Sequence, residues 1–284
     1  MKNVTRNDFP FIQAHPDWVY FDNAATSLKP QVVLDALMHY YTHLSANIHR
    51  GDYPTSVKTS EMYEMARKNV ADLFNVSHDE IVWTSGASES LNLVARGYGA
   101  HHLRKGDGII LSENEHASNV LPWYALAKEK DLEIIFFDLH GEDPISDLEQ
   151  TILNHPNARL VSFAHASNVL GYLRPVKELA FVAKKHGLIT VVDGAQVAGH
   201  APVDLRLLDV DFYAFSAHKM LGPSGLGVLY GKKELLEAML PLYYGGGSNV
   251  DFNQQQEYAL KKPPHRFESG TPAIESVLAF SKAI

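Results

Sequence analysis

Val210-Asp211-Phe212-Tyr213-Ala214-Phe215-Ser216-Ala217-His218-Lys219 decides the reading of this chain. The run from Val210 to Phe215 is apolar and aromatic, as a buried strand is. It delivers Lys219 to the strand's carboxyl end, where the glycine-rich turn Met220-Leu221-Gly222-Pro223-Ser224-Gly225-Leu226-Gly227 follows. Burying an ammonium there is costly. The cost is tolerable where the amine works as a nucleophile or is tied up with an aldehyde. Upstream, Thr190-Val191-Val192-Asp193-Gly194-Ala195-Gln196 puts an acid at the end of a second apolar strand.

Outward from these two strands, the same pattern repeats. Short runs rich in Val, Ile and Phe predict strands over 80–84, 108–112, 133–138, 159–164, 188–193, 212–216 and 227–230. They lack clean alternation, which marks strands buried on both faces. Between them, amphipathic stretches predict helices over 30–44, 55–74, 88–102, 119–131, 146–154, 175–186 and 233–239. This alternation implies an α/β fold with a mostly parallel central sheet flanked by helices. Ligands bind such sheets at the carboxyl ends of strands, where Asp193 and Lys219 both fall. The expected organisation is an N-terminal arm over 1–20, a large cofactor domain over 21–270 and a connection over 271–284 toward a further domain. The pattern after Pro272 starts a helix and stops at Ile284 without a capping glycine, so truncation is the expectation.

Composition narrows the function classes. The chain has 284 residues, 45% of them hydrophobic, enough for a large core. A net charge of -8 with no basic run argues against nucleic acid as a partner. No stretch has the length of a membrane span, and the first residues lack a signal-peptide core, so a cytoplasmic location is expected. With no cysteine, disulfides, thiolate metal sites and a cysteine nucleophile are excluded from these residues. The 15 histidines form no HExxH pair, and no metal is expected.

Several further motifs fall at strand ends. Thr84-Ser85-Gly86-Ala87-Ser88-Glu89 runs from strand to helix, where amides and a hydroxyl suit a phosphate; the plain alternative is an ordinary capped helix. His116 could lie flat on a pyridine ring or be a surface histidine. Asn168 could bond a phenolic oxygen or start a turn. Ala24 and Ala25 are small enough to let a substrate approach, or make a tight turn. Asn47-Ile48-His49-Arg50-Gly51 reads as an active-site loop or as solvated charge. Gly245-Gly246-Gly247-Ser248 reads as a flexible loop. Thr271 could donate to a phosphate or belong to a structural turn. A lysine to hold an aldehyde and an aspartate to face a pyridinium are the two groups a pyridoxal 5'-phosphate enzyme needs.

In this order the motifs resemble the class V aminotransferases among fold-type I pyridoxal phosphate enzymes. Within them the chain is most similar to the cysteine desulfurase/selenocysteine lyase branch of the SufS/CsdA type. The carrying residues are Tyr20–Ala25, Asn47–Gly51, Glu115-His116, Val192–Gln196, Phe215–Gly225 and Arg266–Pro272. The resemblance implies that Lys219 forms the internal aldimine and moves protons, and that Asp193 keeps the pyridine nitrogen protonated. It implies that His116 stacks on the ring, and that Gln196 and Asn168 contact the phenolic oxygen. Ala87, Ser88, Ser216 and His218 would hold the phosphate, with Thr271 reaching the phosphate of a neighbouring subunit in a homodimer. Ala24, Ala25, His49 and Arg50 fall to the substrate, an amino acid such as L-cysteine, and a sulfur-acceptor protein is an implied partner.

Three positions depart from the family pattern. Ala87-Ser88 stands where the phosphate turn usually carries two threonines, Ala117 where a second histidine is common, and Asp52-Tyr53 where another histidine is usual. The family's nucleophilic cysteine and carboxylate-binding arginine come from a smaller C-terminal domain, so the chain as given is expected to be inactive as a desulfurase. A different class V enzyme, such as an aminotransferase, and a non-catalytic cofactor-binding or dimerising remnant are the alternatives.

Overall fold

A computed structural model describes residues 5–139 and 141–284. Its centre is one sheet of seven strands: β1 (Ile81–Thr84), β2 (Gly108–Ser112), β3 (Glu133–Phe137), β4 (Ala158–Ala164), β5 (Ile189–Asp193), β6 (Phe212–Ser216) and β7 (Gly227–Gly231). They lie in the order β1-β7-β6-β5-β4-β2-β3. β7 runs antiparallel to both of its neighbours, so the other six strands all point one way. The expected α/β class and mostly parallel sheet are borne out. β2, β6 and β7 are buried at every position, as strands covered on both faces must be.

Helices cover both faces, and the sheet separates two apolar layers. One layer holds Tyr63, Val70, Ile110, Phe163, Val192 and Phe215; the other holds Leu91, Ile109, Trp123, Leu160, Val191 and Phe212. Consecutive residues of one strand, such as Val191 and Val192, divide between the layers, as the pleat requires. The helix Ile274–Ala283 lies against Gln31–His39 and Pro54–Leu73 and puts Val277 and Phe280 into the first layer.

Three helical stretches differ from expectation in a physical way. The run over 30–44 is α-helical only through His39. Tyr40–Leu44 widens into a π-turn that closes at Ser45, in the left-handed region with φ 38°. The run over 88–102 holds a π-turn at Val94–Gly99. There the Gly97 carbonyl accepts from Leu240 N at 3.1 Å, and a Cβ on Gly97 would stand 2.4 Å from the Leu240 carbonyl oxygen. A passing backbone thus takes the place of a side chain and opens the helix. The run over 119–131 divides into a single turn, Ala117–Asn119, and a helix, Leu121–Lys130.

The glycines over 245–247 do not form a free loop. Ser248 is buried and bonds the Gly245 carbonyl at 2.9 Å, while Gly270 N donates to the Gly246 carbonyl at 2.7 Å. Beyond them lies a hairpin, β8 (Asn249–Phe252) and β9 (Tyr258–Leu260), that sequence reading missed. Among the described residues no helix is long and apolar enough to cross a membrane.

Candidate active site

The parallel strands β2, β4, β5 and β6 end on one side of the sheet, and a cavity of about 400 Å³ opens there. Each strand hands over to a loop that lines it. β6 ends at Ser216 and passes directly into the single turn Ala217–Lys219. β5 ends at Asp193. Asp193 is followed by Gly194 because no side chain fits there: a Cβ would stand 1.9 Å from the Tyr213 ring. β2 ends at Ser112 and leads to Glu115 and His116; β4 ends at Ala164 and leads to Ser167 and Asn168.

Two charged groups define the cavity's chemistry. Asp193 is 7% exposed, and Ala195 N donates to its Oδ1 at 3.0 Å. Burial pushes its carboxyl up from the usual range, against that amide and the positive charges of Lys219 and His116. Burial likewise lowers Lys219, partly opposed by Asp193. A larger share of the amine is therefore neutral, the form with a lone pair to react.

Around this pair the side chains are held by short bonds. Ser118 N donates to His116 Nδ1 at 3.2 Å, so a neutral ring carries its proton on Nε2. Glu115 anchors the same loop: its Oε2 accepts from Asn119 Nδ2 at 2.8 Å, and its Oε1 accepts from Ala164 N at 2.9 Å and from Ser112 Oγ. At the start of helix Ala87–Leu93, Ala87 N donates to Ser216 Oγ at 2.8 Å. Ser88 Oγ and Ser118 Oγ share a hydrogen bond of 2.7 Å. The Gly86 backbone reaches this position because β7 carries glycine opposite it; a Cβ on Gly227 would lie 2.3 Å from Gly86 Cα. Gln196 Nε2 donates to the Ala24 carbonyl at 2.9 Å, tying the Asp22–Thr26 turn to the cavity wall. His218 is lowered by burial and by the neighbouring charges of Lys219 and Lys29.

Eleven of the residues singled out from sequence line this one cavity: Ala24, Ala25, Ala87, Ser88, His116, Asn168, Asp193, Gln196, Ser216, His218 and Lys219. His49 and Arg50 do not; they line a separate cleft beside Gly270. Thr271 does not line it either, but sits between its lining residues Gly270 and Pro272, with Asn47 Nδ2 at 3.5 Å from its Oγ1. Sequence reading missed Ser118 and Arg174, which also line the cavity. Ser118 lay two residues past His116, so a helical-turn reading of that loop could have found it. Arg174 carried no local signal.

Comparison with known proteins gives this geometry its class. The class-V aminotransferase family profile matches residues 19–284, and the chain belongs to that family. A probable cysteine desulfurase of Synechocystis sp. is 42% identical over 99% of this chain and 68% of its own length. One of Pyrococcus abyssi is 44% identical, over 98% and 68%. Among solved structures, the apo cysteine desulfurase of Thermococcus onnurineus NA1 superposes with a TM-score of 0.91 at 41% identity, covering 98% of this chain and 68% of that one. A lysine-to-alanine variant of C-DES with glycine covalently linked to its PLP cofactor superposes at 0.86 with 26% identity, over 99% and 73%.

Pyridoxal 5'-phosphate is the cofactor of this family. The residues present fit it. The cavity brings a half-buried amine and a buried carboxylate together, for an aldehyde and a pyridine nitrogen, with hydroxyls and a histidine on a further wall for a phosphate.

Proposed function

We propose that the chain is a pyridoxal phosphate-dependent enzyme of the cysteine desulfurase type, acting on L-cysteine or a close relative. The observation that carries this reading is the convergence of Lys219, Asp193 and His116 on one cavity from three different strand ends. It is supported by the cysteine desulfurases that the chain resembles.

When bound, the cofactor supplies an electrophilic carbon for an amine and an electron sink for a carbanion at the substrate's α-carbon. The chain's own residues do the rest. Lys219 would offer Nζ to the cofactor aldehyde and afterwards move the proton at the substrate α-carbon. Asp193 would accept the pyridine N–H, which would compensate the carboxylate for its burial. His116, with its Nδ1 held by the Ser118 amide, would stack on the ring. Asn168 and Gln196, which line the same cavity, would serve the phenolic oxygen. Ser88, Ser216 and His218 would face the phosphate; the Ala87 N–H is spent on Ser216 Oγ, so Ser216 keeps its own O–H to donate. Ser118 joins Ser88 on that wall. Ala24 and Ala25, small residues of the cavity wall, would leave room for the substrate.

The reading includes a homodimer. Arg50, His49 and Thr271 belong in it to the partner's cavity, since Arg50 and His49 line a cleft apart from the one around Lys219 and Thr271 is bonded to Asn47 of that cleft. Exposed Phe252 and Tyr258 on the nearby hairpin, with exposed Tyr243 and Tyr244 in the segment before it, suit a protein neighbour. The 284 residues contain no cysteine, so the sulfur-accepting step is assigned to no residue of this chain.

The test is exchange of the α-hydrogen of L-cysteine and L-alanine in deuterated water, followed by NMR on the cofactor-loaded chain. Exchange in the parent and none in Lys219→Ala is expected. Absence of the yellow cofactor absorbance in the parent, or exchange that survives in the variant, overturns the reading. Mixing Lys219→Ala with Thr271→Ala protein tests the shared site: mixed dimers regain activity in one cavity only if Thr271 acts across the interface.

A further inference from the structure

Among the described residues, one group of three metal-ligating side chains lies outside the cavity: His49, Glu64 and His265. One ligand atom from each falls within 4.8 Å of the other two. The three come from separate pieces of the fold. His49 is in the loop before helix Pro54–Leu73, Glu64 is on that helix, and His265 opens the turn His265–Phe267. We propose that these residues form a zinc-type divalent cation site of two histidines and one carboxylate.

The local bonds prepare the carboxylate for this role. Arg67 Nε donates to Glu64 Oε2 at 3.0 Å, which leaves Oε1 facing His49 Nε2 at 3.1 Å. A ligating carboxylate whose second oxygen is held by a hydrogen bond is the usual outer-shell arrangement. His49 is also placed deliberately. It adopts φ 58°, in the left-handed region that a residue with a side chain avoids, and Ser60 Oγ accepts its N–H at 3.0 Å. The two imidazoles meet edge to face with centroids 5.8 Å apart. Three ligands at about 2.0–2.2 Å leave a fourth position open on the exposed side. Binding the ion would draw the ligand atoms together from their present spread of up to 4.8 Å.

Charge permits the ion. Arg67 is shared by Glu268, through a bidentate bond, and by Glu64, so two carboxylates face one guanidinium and one negative charge is left for a cation. Lys261 and Arg50 line the same cleft, and both have side chains long enough to turn to solvent. Bound metal would clamp the His49–Arg50 loop to the turn that precedes Thr271.

The experiment is zinc titration of the cofactor-loaded chain by calorimetry, with cobalt as a coloured substitute. The exposed pair His39 and His43, stacked with centroids 4.7 Å apart, also suits a divalent ion, so the titration is run in a His43→Gln background. One equivalent of tight zinc is expected, with binding at least tenfold weaker in both Glu64→Gln and His265→Gln. Zinc should raise the melting midpoint of the parent but not of either variant. Should His265→Gln fail to fold, Glu64→Gln and His49→Gln serve as the pair. No bound equivalent, or affinity unchanged in Glu64→Gln and a folded histidine variant, overturns the site and identifies His49–Glu64 as a simple hydrogen-bonded pair.

Discussion

Among the described residues, the buried charges around Arg67 and those around Lys219 and Asp193 are built in opposite ways. Around Arg67 every guanidinium nitrogen donates. Nη1 and Nη2 bond Glu268 at 2.7 and 2.9 Å, Nη1 also bonds the Ile81 carbonyl at 2.9 Å, and Nε bonds Glu64 at 3.0 Å. Glu268 in turn accepts from Trp83 N at 2.9 Å, and the guanidinium lies 5.5 and 5.7 Å from the Tyr63 and Trp83 rings. Burial alone would lower Arg67, but Glu268 and Glu64 outweigh it and hold the charge. The same interactions, with His49, bring Glu64 down to about 2 against its own burial. Around Lys219 and Asp193 burial prevails for both groups, and each is pushed toward its neutral form. The first centre joins helix Pro54–Leu73, β1 and the 265–272 segment; the second leaves its charges for something that enters the cavity.

Lys219→Ala should break that contrast most completely. After borohydride reduction and denaturation, mass spectrometry should find cofactor attached to the parent chain and none attached to the variant. The melting midpoint should stay level or rise, because a half-buried amine has been removed. Retained covalent cofactor would place the reactive amine elsewhere. Glu268→Ala should do the reverse. Removing the bidentate partner leaves buried Arg67 with Glu64 alone, a cost of at most about 3–5 kcal/mol, seen as a large drop in denaturation midpoint. A loss under about 1 kcal/mol would show that the pair is not a structural anchor. Asp193→Asn keeps the shape and removes the charge. Cofactor should still bind, while α-hydrogen exchange falls by about 100-fold or more. Unchanged exchange would remove Asp193 from the role proposed for it.

The two centres also differ in how far they could be read from sequence. Lys219, Asp193 and His116 each follow an apolar strand, and local pattern locates a strand end well. The sheet order and the antiparallel β7 were not legible, because pairing depends on contacts distant in sequence. Arg67 looks like any arginine of an amphipathic helix; its partner stands 201 residues later. The hairpin β8–β9 was missed because its residues are mostly exposed and carry no buried alternation. The π-turn at Val94–Gly99 was missed because its cause, the backbone at Leu240, lies far along the chain. What sequence showed was set by near neighbours, and what it hid was set by packing.

The smallest expected effect lies just behind the cavity. His165 N donates to the Asp193 carbonyl at 2.8 Å, and its Nδ1 is 2.8 Å from the Tyr213 hydroxyl. Burial lowers this histidine to about 4, and pushes the Tyr213 phenol well up, so both are neutral near pH 7. In the unfolded chain a histidine titrates near 6.5. Between pH 6.5 and 4 the unfolded state therefore binds more protons. The contribution is fully present above the unfolded value, is lost as pH falls toward 4, and is level below that. The shift corresponds to at most about 3 kcal/mol, and nearer 2 once partial exposure is discounted. His165→Gln keeps a group able to bond Tyr213 but cannot take up the proton. Urea denaturation at pH 7 and pH 4.5 should then show a smaller loss of stability on acidification in the variant than in the parent. Other lowered groups, His218 and His265 among them, act with the same sign in both proteins, so the difference isolates His165. Equal losses would mean that His165 takes up its proton in the folded state at ordinary pH, and that the layer beneath Asp193 is wetter than its packing implies.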